Sequence, residues 1–394
     1  MESAEAPPTR TPRRRALRRL VILLAIITPA IVLRGCVLDF YAIHSGSMAP
    51  AFEGTEEAGD HLLVLRRGVD PRPVQRWDAV VLDGTVDSEL PEDMAAMLKR
   101  VVALPGERVR IENGDVHVAT AEGVEPTIAR KPDELIERLL VTVHAGDGLT
   151  APWTWTGPGD REDLPDGSTR LDVGGQRGVA VYERPVHDGL DGEEGEVTVR
   201  DTALEVVVGE GDGVLELALR EGADVFRAQL AAADRGGASL RRNVGASVMD
   251  ADPSFAGLRP GDRVLMWNVD DGVRVLVNGK VLLSSNTGGT VSDKSSGDVL
   301  NDPEIAVQGG SLELRHVEVL RDLHYTSPGP FAARGEAPSR VPNGHVFVLG
   351  DNSARSRDSR YFGPVPVRAV RGRPIAIYRP WSRARWLAPS GSSR

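Results

Sequence analysis

Three turn dipeptides, Asn113-Gly114, Asp271-Gly272 and Asn278-Gly279, constrain this chain most. Each stands between short runs of strand-forming residues. A two-residue loop of that composition joins antiparallel neighbours and nothing else. The first lies between runs at 108–111 and 115–118, the second between 263–269 and 273–277, and the third precedes 280–284. Other strand-length runs fall at 61–65, 79–82, 97–103, 196–200, 203–208, 214–219, 224–230, 311–320, 346–349 and 374–378. With 43 glycines and 27 prolines in 394 residues, this spacing predicts a mainly β protein of antiparallel sheets, long enough for two domains or more. No repeat of fixed period stands out.

The N-terminus has a different character. Six arginines and two glutamates occupy the first twenty residues, and residues 20–33 are then uninterrupted and uncharged. Fourteen helical residues span roughly 21 Å, short of a hydrocarbon core of roughly 30 Å. Adding Ala16-Leu17 and Val37-Leu38, with Arg18, Arg19 and Arg34 reaching back to the interface, supplies the missing length. The residues leave open a retained anchor, a cleaved signal peptide, lipidation at Cys36 and a buried core helix. The arginine-rich approach favours the anchor, and it places the N-terminus in the cytoplasm. The expected divisions are a basic leader at 1–15, a transmembrane helix at 16–38 and a first β-rich part at 39–119. An inserted β-rich domain at 120–335 and a second part with a basic tail at 336–394 complete them. Residues 120–200 read as loop-rich and acidic, and 326–341 as a linker.

The net charge of −10 argues against a nucleic-acid binder. A single cysteine excludes an intrachain disulfide framework and any multi-cysteine metal site. None of the eight histidines sits in a recognisable triad motif. Attention therefore falls on Ser45-Gly46-Ser47, which follows the apolar segment directly, and on Lys99. A serine in a glycine-containing turn can present its hydroxyl and its backbone N–H to one point. An ordinary surface turn is the alternative. Lys99 stands among apolar residues in a chain whose positive charge is nearly all arginine. Burial lowers a lysine pKa, and a neutral amine can take a serine proton. A surface lysine on an edge strand is the alternative there.

Read in order after the N-terminal segment, residues 44–50, 99–107 and 350–360 resemble the sequence boxes of bacterial type I signal peptidases, the leader peptidases. Those boxes run Pro-Ser-Gly-Ser-Met-x-Pro-Thr-Leu, Lys-Arg-x-x-Gly-Leu-Pro-Gly-Asp and Gly-Asp-Asn-x-x-x-Ser-x-Asp-Ser-Arg. Gly59-Asp60 and Arg76-Trp77-Asp78 resemble the family's Gly-Asp and Arg-Gly-Asp. The resemblance covers about 16–119 and 341–380. It implies a β-rich catalytic domain in which Ser47 is the nucleophile and Lys99 the general base. The Ser47 N–H and Ser45 hydroxyl would form the oxyanion hole. Ser356 would hydrogen-bond the Lys99 amine, and Asp358 and Arg360 would brace its loop. It implies no cofactor and no metal. The partners it implies are signal peptides of exported preproteins, the lipid of the cytoplasmic membrane and the export machinery, with the catalytic part on the extracytoplasmic face. Departures are His44 for proline, Ala51-Phe52 for Thr-Leu, Trp77 and Ala103 for glycines, and Glu107 for aspartate. None is a group that transfers a proton; they bear on the shape of the pocket.

The insertion stands where this family places a smaller, variable domain. Residues 263–280 and 312–325 are similar to concanavalin-like jelly-roll sandwiches. Trp153, Trp155 and Trp267 are candidate stacking platforms or core residues. A chain with 125–335 replaced by a short linker is expected to keep some peptidase activity. The competing reading of the whole is a membrane-anchored carbohydrate- or envelope-binding protein with a degenerate peptidase part.

Overall fold

The computed structural model describes residues 33–55, 59–89, 96–190, 195–221, 224–233, 235–243, 248–286, 302–331 and 338–387, with isolated positions before residue 30. Of the helix expected over 16–38, residues 16–18 and most of 20–32 lie outside them. Among the described residues no helix is long and apolar enough to cross a membrane. A π turn, Leu33–Val37, leads straight into a strand.

The protein is mainly β. Its first sheet contains β1 (Leu38–Ala42), β2 (His61–Arg66), β3 (Ala79–Asp83) and β4 (Ala96–Ala103). The late strand Val370–Arg379 lies between β2 and β3, and His345–Leu349 lies on the far side of β4. Every pairing in it is antiparallel. Residues from the two ends of the chain thus interleave in one sheet, with the insertion between them in sequence. β4 is buried along almost its whole length, and its alternation feeds two apolar layers. Leu98 and Val102 pack with Trp77, Phe347 and Ile377, while Met97 and Val101 pack with Val80, Leu82 and Val348. A strand covered on both faces is a rigid mount for whatever polar side chains it carries.

A smaller sheet joins Ser339–Arg340, β5 (Arg108–Glu112), β6 (Asp115–Ala119) and Thr127–Ile128. The turn between β5 and β6 has positive φ at both Asn113 (52°) and Gly114 (97°), the backbone that an Asn-Gly hairpin requires.

Strands from Val141–Gly146 to Ser311–Arg321 form two further antiparallel sheets of eight and seven strands. They close over a shared apolar core that includes Leu217, Phe226, Met266, Val275 and Val317. Val214–Glu221 shows the pattern that makes this possible, with Leu215, Leu217 and Leu219 turned inward and Glu216 on the opposite face, buried and paired with Arg177.

Three details correct the sequence reading, and a fourth decides between two alternatives it left open. The expected Asp271-Gly272 turn is displaced by one residue: Val269 pairs with Gly272, and Asp270 (φ 51°) and Asp271 (φ 55°) make the loop. Aspartate tolerates left-handed backbone through local hydrogen bonding, so the glycine is free to serve in the strand. The run at 196–200 is no strand; it contributes one isolated bridge, Thr198 to His187. The stretch read as loop-rich holds five strands between Val141 and Tyr182, short and mostly polar on their outer side. Trp153 and Trp267 are core residues rather than platforms, and Trp155 packs half-buried against the same core.

Candidate active site

Ser47 sits in a one-turn 3-10 helix, Gly46–Met48, just beyond β1. Met48 is fully buried beneath it, which nails the turn to the sheet core. Ser45 precedes the turn in extended conformation, and its side chain caps none of the turn's amides. Its exposed hydroxyl instead lies 3.3 Å from the Ser47 hydroxyl. The first N–H groups of any helical turn find no partner within it.

Lys99 comes from the middle of β4, and Nζ donates to Ser47 Oγ at 2.9 Å. Only 4% of the lysine and 6% of Ser47 are exposed. Burial pushes the Lys99 amine down from its ordinary 10.5 to about 8. Asp358 and Asp351 pull it back up, and Arg360 adds to the lowering. A buried amine with that balance is half neutral near pH 8, in hydrogen-bond reach of a hydroxyl.

Arg100, the next residue, holds Asp351 in a fork, with Nε at 2.6 Å and Nη2 at 2.5 Å from the two carboxylate oxygens. Both groups are buried. Asn352 N–H then donates to Ser47 O at 3.1 Å, tying this loop to the serine turn. Further along, Asp358 accepts from Ser356 Oγ (2.8 Å), Gly350 N–H (3.0 Å) and Arg360 Nε (2.8 Å). Arg360 is wholly buried and also donates to Ser353 Oγ and to the Ser353 and Ser356 carbonyls. The Ser356 hydroxyl thus donates to Asp358, and the Lys99 Nζ bond goes to Ser47. Ser45, Ser47, Lys99, Ser356, Asp358 and Arg360, more than 300 residues apart at the extremes, are brought into one neighbourhood. His44 stays exposed on its rim.

Residues 13–153 and 257–381, more than half of the chain, match the model of a family described as signal peptidase, peptidase S26. The chain belongs to that family. Over 41 residues it is 56% identical to the mitochondrial ATP-independent inner membrane protease subunit 1b of Arabidopsis thaliana, 10% of this chain and 23% of that one. Over 35 residues it is 57% identical to the mitochondrial inner membrane protease subunit 1 of Mus musculus, 9% of this chain and 21% of that one. A probable thylakoidal processing peptidase 2 of Arabidopsis thaliana is 48% identical over 46 residues, 12% of each chain. The chain therefore spans less than a quarter of the length of each of these relatives. Among solved structures, carbohydrate-binding module CBM66 from Bacillus subtilis shares 11% identity at a TM-score of 0.27, covering 43% of this chain and 92% of its own.

In this peptidase-family chain the serine and lysine open onto a cleft of about 250 Å³. Tyr41, Ile43, Ala96, Met97 and Leu98 give it apolar walls, with Arg355 and Arg357 at one side. Tyr41 Oη donates to the Ala96 carbonyl at 2.9 Å, which fixes that wall. Sequence reasoning missed Tyr41, Arg100 and Asp351. The last two stand inside the quoted boxes, so position was a signal for them; nothing local marks Tyr41. At a second place, Asp115, Asp201 and Asp270 bring carboxylate oxygens within 4.8 Å of one another. Asp270 is already bound there by Lys131, and its N–H donates to Asp201, so the trio belongs to the protein's own ion network.

Proposed function

We propose that this protein is a membrane-anchored serine endopeptidase that removes N-terminal signal peptides from exported preproteins. The observation that carries the reading is the 2.9 Å contact between a buried lysine amine and a buried serine hydroxyl. In the proposed reaction the neutral Lys99 amine takes the Ser47 proton as Oγ bonds to the scissile carbonyl carbon. The oxyanion is met by the uncapped Ser47 N–H and the Ser45 hydroxyl. Each such donor is typically worth about 3–4 kcal/mol of barrier. The Lys99 ammonium passes its proton to the departing amine as the C–N bond breaks, leaving an ester on Ser47. A water then gives a proton to Lys99 and its oxygen to the carbonyl carbon. Collapse of that adduct frees the new carboxylate and returns a proton to Ser47.

The cleft's apolar walls suit apolar side chains next to the cleaved bond, in keeping with the Ala-x-Ala preference that the resemblance implies. Ser356 acts in this scheme through Asp358, which bears on the Lys99 amine. Arg360 fixes Asp358. The location that fits is the cytoplasmic membrane, with the N-terminus inside and the catalytic part outside, working beside the export machinery. We take the sandwich of residues 141–321 as a concanavalin-like jelly roll outside the chemistry. An intact, convergent set of Ser45, Ser47, Lys99 and Ser356 disfavours the degenerate-peptidase alternative.

Purified protein in detergent should cleave a preprotein at its signal-peptide junction, and Ser47→Ala and Lys99→Met should each abolish cleavage. Cleavage by either variant at the parent's rate would refute the mechanism. Absence of cleavage by the parent, with glycan binding, would favour the binding-protein reading.

A further inference from the structure

Trp77 is an anomaly of backbone. Its φ is +71°, in the left-handed region that favours glycine, and the resembling family box carries glycine there. A tryptophan persists at such a position only if its surroundings hold it. The ring is 3% exposed, and its Nε1 donates to the Arg130 carbonyl at 2.9 Å. Lys131 Nζ stands 5.3 Å from the ring centroid.

Arg130 and Lys131 are the residues that grip the inserted sandwich. Arg130 Nε donates to the Asp270 carbonyl at 2.9 Å. Lys131 N–H donates to the Asp270 carboxylate at 2.8 Å, and Nζ pairs with Asp270 at 2.6 Å and with Asp322 at 2.8 Å. Asp270 forms the tip of a sandwich hairpin, and Asp322 follows the sandwich's last strand, Ser311–Arg321. Burial would lower the Lys131 ammonium, but Asp270 and Asp322 outweigh it and hold it above its ordinary value, with Tyr325 and Asp115 acting the same way.

On its other side Trp77 meets the site. Its carbonyl accepts from Arg100 Nη1 at 2.9 Å, and Arg100 is the residue that forks Asp351 beside Lys99. Asn352, next in the chain, donates to the Ser47 carbonyl. The contacts run without a gap from Asp270 and Asp322 through Lys131, Trp77, Arg100 and Asp351 to Ser47. We propose that Trp77 and Lys131 form a latch by which the inserted sandwich positions the Arg100–Asp351 pair beside Ser47 and Lys99. The proposal rests on the Ser47–Lys99 peptidase reading for its kinetic consequence and on geometry alone for its structural one. Trp77 is a positioning residue: it touches neither substrate nor the reacting atoms.

The test compares the full chain with Trp77→Gly and Trp77→Phe. Glycine suits the backbone at φ +71°, so this substitution removes the ring without straining the turn. Trp77→Gly is expected to lower kcat/KM for a preprotein about tenfold with KM little changed. It should also move the acid limb of the pH profile, because the Arg100–Asp351 pair, no longer braced by the ring, shifts relative to Lys99, on which Asp351 acts alongside Asp358 and against Arg360. Amide hydrogen exchange across residues 350–356 should quicken. Trp77→Phe, which keeps a ring over Lys131, should recover part of each effect. Exchange is read whether or not the chain cleaves anything, so a parent without Ser47-dependent cleavage sinks the peptidase reading and leaves the latch testable. A Trp77→Gly protein with the parent's exchange in 350–356 overturns the latch, and so does one that loses only thermal stability.

Discussion

Gly350 lies so close to Ser356 that a β-carbon on it would stand 2.2 Å from the Ser356 hydroxyl oxygen and 2.5 Å from the Ser47 carbonyl. Those two neighbours cannot both retreat. Ser356 is held by Asp358, and the Ser47 carbonyl accepts the Asn352 N–H. Gly350→Ala is therefore expected to push the serine turn away from the loop. Overpacking of a buried site costs about 1–3 kcal/mol of stability. Because the displaced group is Ser47 itself, the loss of preprotein cleavage should exceed the loss of stability. Cleavage rates and urea midpoints of the two proteins check this; a folded Gly350→Ala protein with the parent's rate would contradict it.

The pH dependence follows from Lys99. Its amine, lowered by burial to about 8, must be neutral to accept the Ser47 proton. kcat/KM should rise with pH and reach half its plateau near pH 8, well below the usual lysine range. A titration of kcat/KM between pH 6 and 10 reads this directly. An acid limb well below pH 8 would point to another base.

The parts of the site that were legible in the sequence are those encoded locally. Ser45-Gly46-Ser47, Lys99 in its apolar run and Ser356 to Arg360 are short stretches whose residue types state their chemistry. The same holds for the turns at 113–114 and 278–279, where positive φ needs asparagine and glycine. What was illegible depends on distant partners. Lys131 reads as one polar residue in a loop; its carboxylate partner Asp270 is 139 positions away. Trp77 was visible as a departure from glycine, but the sign of its φ was not. The strand Asp160–Asp163 is charged at every position and exposed over most of its length, so no apolar alternation marks it. Only its pairing with Thr169–Asp172 makes it a strand.

Asp358 is the anchor of the 350–360 loop. It is fully buried, and Arg360, equally buried, pairs with it at 2.7 Å. Removing one partner of such a pair leaves an uncompensated buried charge, at a cost of about 3–5 kcal/mol. Asp358→Asn should destabilise the fold by that order and lower the plateau of cleavage, since the Lys99 ammonium formed during the reaction loses a carboxylate that stabilises it. The acid limb should then fall below that of the parent, provided the protein is assayed where it stays folded. Denaturant unfolding and the pH profile measure the two effects separately. An unmoved limb would mean that Asp358 acts only on the loop.

Lys99 should also cost the fold stability at neutral pH, and the sign can be worked out. Its amine is lowered in the folded protein relative to the unfolded chain. Between about pH 8 and the ordinary lysine value of 10.5 the unfolded state therefore binds more protons, so stability rises with pH across that window. Below pH 8 the amine is charged in both states and the folded state carries the full net penalty on that charge, about 3 kcal/mol at the conversion of 1.36 kcal/mol per pH unit. Lys99→Met keeps the length of the side chain and removes the charge. It should thus be inactive yet more stable than the parent at pH 7, with the advantage shrinking as the pH is raised through 8 to 10. Unfolding in urea at pH 7, 8.5 and 10 checks this. A Lys99→Met protein less stable than the parent at pH 7 would show that the hydrogen bond to Ser47 outweighs the burial of the ammonium.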